Sequence, residues 1–198
     1  MRSEMEEQDL KDRLSLIESM ISEGRRTTES WGWAFVFWGV AYYVAMAWAK
    51  WGHSAFAWPV TMIVAVLLSG VISSRRSRRS PETTVGRSIG AVWIAMGISI
   101  FMLLFSLGLS GMADPRVVLA IIGAMLGLVN AASSMILRWK LQFACALVWW
   151  TVMEIASFGT VNQGTDAFVV AIFFCFIVFG IYGMVRQTRM NRRDTSHA

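Results

Sequence analysis

Long apolar stretches separated by short charged ones dominate the chain. Five runs lack Asp, Glu, Lys and Arg: Trp31–Ala49, Ala55–Ser74, Ser88–Ala113, Val117–Leu137 and Ala167–Val185. Each is near or above the roughly 18 residues that cross about 30 Å of hydrocarbon as a helix. A sixth run, Leu141–Phe158, qualifies only if Glu154 is accepted inside it. The pattern predicts an all-α fold: an integral membrane bundle of six transmembrane helices in three hairpins, with spans at about 31–49, 55–74, 88–111, 117–137, 141–158 and 167–185.

Before the first span the periodicity changes. Leu10, Leu14, Ile17 and Ile21 recur at i, i+4, i+7 and i+11, widened by Leu16 and Met20, and Ser3 with Glu6 fits a capping box. Residues 1–26 therefore form an N-terminal cytoplasmic amphipathic helix, 27–187 the membrane bundle and 188–198 a basic tail. Span ends carry helix-start chemistry. Asp114-Pro115 opens the fourth span and Ser80-Pro81 the third, each a capping side chain followed by proline. The connections are short: about five residues (Lys50–Ser54), three, three and eight (Gly159–Asp166) on the hairpin path, too few for a folded extramembrane domain.

Composition supports the same solvent. The chain is 56% hydrophobic and only 16% charged, where a water-soluble domain carries about a quarter. Charge then decides orientation. With six spans, sixteen of the eighteen Lys and Arg fall on one side, leaving Lys50 and Arg116 on the other. That imbalance is the positive-inside pattern and places both termini in the cytoplasm of a cell whose inner membrane holds the chain. With five spans the tail's arginines would lie outside, so the Leu141–Phe158 run counts as a span. The net charge of +5 follows from topology, because each basic cluster abuts a helix end; no nucleic-acid partner is expected. No cleavable signal peptide is visible ahead of Trp31.

Small residues at i, i+4 mark packing faces: Ala41-Ala45-Ala49, Ala65-Ser69-Ser73, Ala91-Ala95-Ser99 and, most sharply, Gly123-Gly127-Ala131. The last stripe serves internal packing or a second copy, internal packing being the plainer reading. The three hairpins also suggest an internal repeat, since Leu68-Ser69-Gly70 and Phe179-Gly180-Ile181 precede similar basic ends; any six-span chain would give part of that pattern. Trp31, Trp33, Trp48, Trp51, Trp58 and Trp139 sit near span ends as interfacial belts, and Trp38, Trp93, Trp149 and Trp150 lie deeper. Cys145 and Cys175 fall at different depths, as reduced packing residues.

Candidate chemistry inside the membrane is sparse. Glu154 is flanked by Thr151 and Ser157, three residues away on either side, which predicts a polar strip facing the bundle, and Asn130 stands in the fourth span. A proton or cation pathway through Glu154 is one reading, with Asn130, Thr151 and the tyrosines lining it. Metal clusters, phosphate loops and Ser/His or paired-Asp hydrolytic sites lack their residues, so no cofactor, no metal and no enzymatic activity are expected.

On the cytoplasmic side, residues 1–24 hold three basic and seven acidic groups, the wrong sign for anionic headgroups. The run at Arg75, Arg76, Arg78 and Arg79 serves as a topology determinant, an anionic-lipid site or the acidic helix's docking partner. The helix either docks there or pairs with a membrane or cytosolic protein, a second copy included.

The stretch LIESMISEGRRTTESWGWAFVFWGVAYYVAMAW, Leu16 to Trp48, with the Arg-rich loop and Trp93, resembles the start of small six-span bacterial inner-membrane proteins known only as uncharacterised. The resemblance implies a membrane bundle and carries over no functional residues. Two functions therefore stand: a non-enzymatic accessory, scaffold or regulatory subunit working through helix packing and its acidic helix, and a small transporter or channel using Glu154.

Overall fold

The computed structural model describes residues 7–16, 19, 32–52, 56–77 and 84–195; side chains at 76–77, 84 and 190–195 lie outside what is described. Helix α1 covers residues 7–16. The bundle follows as α2 (Gly32–Gly52), α3 (Ala57–Ser77), α4 (Thr84–Leu109), α5 (Pro115–Leu137), α6 (Lys140–Phe158), α7 (Val161–Ile172), a π-helical segment at Phe173–Val178, and α8 (Phe179–Thr195). α7, the π segment and α8 run on as one long helix. Six helices are long and apolar enough to cross a membrane, with Glu154 inside the fifth, and the chain is an all-α multi-pass membrane protein.

The predicted start of the fourth span holds at its capping residues. Asp114 accepts a hydrogen bond from the Arg116 amide at 2.8 Å, and Pro115 occupies the first helical position of α5. α5 stops at Arg138, in the left-handed region at φ 49°, which turns the chain directly into α6. The Ser3/Glu6 capping box and Ser80-Pro81 lie outside the described residues.

One boundary moves. The eight-residue connection expected at Gly159–Asp166 is two residues, Gly159 and Thr160. Thr160 caps α7 by accepting from the Gln163 amide at 3.3 Å, while Gln163 Oε1 accepts from the Thr160 amide at 2.9 Å. This closed capping box starts the last span six residues before its uncharged window, with Asp166 on the helix.

Packing is uneven. α5 and α6 form the most extensive pair; the backbone of α3 approaches only α2, and that of α4 only α5, among the described residues. The core gathers around Phe35, Trp149, Phe168, Phe176 and Phe179, with edge-on ring pairs such as Phe35–Phe179 at 5.2 Å and Trp149–Phe168 at 5.6 Å. α4 joins through its first half, where Ile89 is buried and Trp93 packs edge-on against Phe35 at 5.2 Å. Its second half, Phe101 to Leu109, carries mostly exposed apolar side chains.

The Gly123-Gly127-Ala131 stripe packs internally. A Cβ added at Gly123 would lie 3.0 Å from the Met153 amide nitrogen and 3.0 Å from the Trp149 carbonyl, and one at Gly127 would strike the Trp150 ring. Ala91, Ala95 and Ser99 face outward instead, so that stripe joins no helix of the bundle. The two similar hairpin ends also sit in unlike surroundings. Nothing lies within 4 Å of a Cβ at Gly70, whereas Gly180 abuts the Gly32 carbonyl across the α2–α8 contact. Trp139, expected in the interfacial belt, is buried against Phe179 at 5.0 Å because the tight Arg138 turn folds it under the bundle.

Gly123→Val should force α5 and α6 apart and cost about 1–3 kcal/mol or more, because the opposing atoms are backbone and cannot rotate away. Gly97→Ala, with open space around it, should be neutral or stabilising by about 0.5–1 kcal/mol. Thermal midpoints of the two variants in one mild detergent check the contrast; equal midpoints would show that the α5–α6 approach matters little.

Candidate functional site

The expected inward strip on α6 is overturned. Its buried side chains are Gln142, Cys145, Ala146, Trp149, Val152 and Ala156. Glu154 stands five residues past Trp149, about 140° round the helix at 100° per residue, and is exposed with Thr151 and Ser157. The two hydroxyls are satisfied without the bundle: Thr151 donates to the Leu147 carbonyl at 2.9 Å and Ser157 to the Met153 carbonyl at 2.8 Å. Both bonds run back one turn within α6, which is why hydroxyl residues tolerate a lipid-facing position. Among the described residues, none is hydrogen-bonded or ion-paired to the Glu154 carboxylate.

Asn130 is buried on α5, and its amide donates to the Leu126 carbonyl at 2.8 Å, again within its own helix. It does not meet Glu154, since one side chain points into the bundle and the other away from it. Ser134 donates to the Ala131 carbonyl at 2.8 Å, and the Trp93 indole N–H donates to Ser133 Oγ at 3.2 Å, tying α4 to α5. Tyr43 donates to the Val169 carbonyl at 2.9 Å. That carbonyl lies where α7 passes into the π segment and the Phe173 amide is shared between Val169 and Val170. The tyrosine therefore braces a change of helical pitch.

The two cysteines do not lie at different depths. Cys145 is thirteen residues back from Phe158 and Cys175 fourteen residues on from Val161, about 20 Å in each case from the Gly159–Thr160 link. Cys175 Sγ lies 3.9 Å from the Cys145 carbonyl oxygen, to which it donates. The separation expected from the sequence came from starting the last span after Asp166. Both thiols are free and buried.

Gln142, in the first turn of α6, is the polar residue the sequence reasoning missed. It is fully buried, and among the described residues neither its amide nitrogen nor its oxygen has a hydrogen-bond partner; the Trp149 indole N–H, two turns along the same face, is likewise unpartnered there. A glutamine one residue inside an apolar window gave a faint signal, easily taken for an interfacial residue.

On the other face of the fold question, α1 is exposed along its whole described length. Leu10 and Leu14 are 58% and 53% exposed, and two exposed ion pairs, Lys11–Glu7 at 2.7 Å and Arg13–Asp9 at 2.9 Å, lie within the helix itself. Such pairs contribute only a few tenths of a kcal/mol each. Ile17, Ile21, Arg78 and Arg79 lie outside the described residues, as does the side chain of Arg76; Arg75 is exposed at the end of α3. No protein-family model, curated protein or solved structure matches the chain.

Removing the stranded amide should help the fold. Gln142→Leu is expected to raise stability by up to about 1–3 kcal/mol, the cost of an unpaired buried polar group. The thermal midpoint in detergent measures it, and a clear loss would mean that Gln142 has a partner in the membrane.

Proposed function

We propose that the chain is a non-enzymatic accessory, scaffold or regulatory subunit of a bacterial inner membrane, with both termini in the cytoplasm, its bundle serving as an anchor and its acidic N-terminal helix as the docking element. The carrying observation is α1 itself: Leu10, Leu14 and Leu16 are all more than half exposed on a helix that also carries charge on its flanks. Three leucines held in water cost free energy that a docked surface would recover. The local charge of −4 in residues 1–24 disfavours anionic headgroups and favours a protein surface. The arginines from Arg75 to Arg79 are left for topology and for anionic lipid.

The interior gives the complementary support. Asn130, Ser134, Thr151 and Ser157 each return their hydrogen bond to their own helix, and Glu154 stands on the outside. A carrier needs polar groups converging on a path, and among the described residues these do not converge.

Two measurements test the reading. Reconstituted protein should show no proton or cation flux, and Glu154→Gln should change nothing; a flux abolished by that substitution would establish a carrier. Protein extracted gently from its own membranes should run as a stable complex, and Leu10→Asp with Leu14→Asp should reduce that complex at least tenfold. Retention of the whole complex by the double variant would remove α1 from the docking role.

A further inference from the structure

We infer that Cys145 and Cys175 form a dithiol site inside the bundle that closes to a disulfide when a lipid-soluble quinone oxidises it; the inference is independent of the docking role of α1. The chain has two cysteines, and the fold brings both to one place. A buried residue touches about 6–12 others, so in a chain of this length chance would bring a given pair together only about once in twenty. Cys175 also lies inside the π segment, an interruption of the kind that recurs at functional sites.

The geometry suits a bond between them. Cys175 Sγ donates to the Cys145 carbonyl oxygen at 3.9 Å. That oxygen lies about 2.4 Å from its own Cα, so the incoming sulfur stands about 6 Å or less from the Cys145 Cα. The backbones of α6 and the π segment come within 8 Å of each other, near the roughly 4.4–6.8 Å that a disulfide spans between Cα atoms. Rotation of the two side chains between staggered positions, with a slight approach of the helices, closes the bond.

The surroundings select the oxidant. Cys145 and Cys175 are only 7% and 3% exposed, and Cys145 lies about 8 Å in from the Lys140 end of its span. Water-soluble thiols such as glutathione, which keep aqueous cysteines reduced, do not reach that depth. Leu141 and Val148, one turn to either side of Cys145 on the same face, are 42% and 38% exposed, so this thiol borders lipid. A quinone dissolved in the lipid is a two-electron oxidant that can approach from there. In the step both S–H bonds break and one S–S bond forms, while two electrons and two protons pass to the quinone, whose two carbonyl groups become hydroxyls. The disulfide ties α6 to the last helix and holds the π segment in one register against it.

Full-length protein in its own membranes tests this, treated with a fully substituted benzoquinone whose ring cannot add a thiol. The protein is then denatured in acid and its remaining thiols are tagged with a polyethylene-glycol maleimide. Wild type should lose both tags together, its intact mass should fall by two hydrogens, and a non-reducing digest should hold Cys145 joined to Cys175. Cys145→Ser and Cys175→Ser should each lose the remaining tag several-fold more slowly. Retention of both tags by wild type, a gain of oxygen in place of the lost hydrogens, or a disulfide between two chains overturns the inference. So does loss of the single tags at the wild-type rate, or closure by oxidised glutathione as fast as by the quinone. The mass and the digest of wild type decide the matter even where a serine variant fails to fold.

Discussion

The contact on which the bundle depends is the backbone approach of α5 to α6 at Gly123, where a single added methyl would sit 3.0 Å from the Met153 nitrogen and the Trp149 oxygen. In lipid, helices gain no hydrophobic free energy by meeting, so close dispersion contact between backbones has to hold them. The two-residue turn at Arg138 and Trp139 brings α5 and α6 together antiparallel from the start, and the glycine face lets them close. Once that face of α6 is fixed, its other faces follow. Trp149 is committed to the centre against Phe168 and Phe176, and Gln142, seven residues earlier, is carried inward with it. Glu154 is carried outward by the same rotation.

The long last helix meets this pair with a change of pitch. An uninterrupted α-helix from Val161 to Thr195 would hold one register against α6 throughout, whereas the π segment at Phe173–Val178 turns Cys175 and Phe176 inward together. Phe176 then packs on Phe35, Tyr42 and Trp149, and Cys175 reaches Cys145. Tyr43 stabilises the point where the pitch changes, through a hydrogen bond from α2. α2, the π segment and α6 are thereby locked together, while α3 and the far half of α4 are left to lipid.

Much of this was legible in the chain, for a physical reason. Membrane spans are governed by the energetics of charge in hydrocarbon, a rule that acts on single residues and can be read without knowing what packs on what. The Asp114-Pro115 start was equally readable, because a cap is local. The rule misled at Asp166, where charge was allowed to end a helix that the Thr160/Gln163 capping box had already begun. That one boundary displaced Cys175 in depth and hid its meeting with Cys145. The facing of Glu154 was misread for another reason. Thr151 and Ser157 signal a polar interior only if their hydroxyls need partners there, and each bonds to a carbonyl one turn back. Spacing fixes which residues share a face; it does not say which way that face looks.

The arrangement of satisfied and unsatisfied groups separates the bundle from its surface. Inside, the buried Asn130, Ser133 and Ser134 of α5 are closed on their own helix or on Trp93, and on α6 the Gln142 amide and the Trp149 indole N–H are left unpartnered among the described residues. Outside, α1 leaves its leucines exposed beside charges that pair within the helix. Covering the exposed leucines of α1 would recover free energy that the bundle interior, closed on its own hydrogen bonds at these residues, does not offer. The accessory role proposed for this protein rests on that contrast between a closed interior and an uncovered helix.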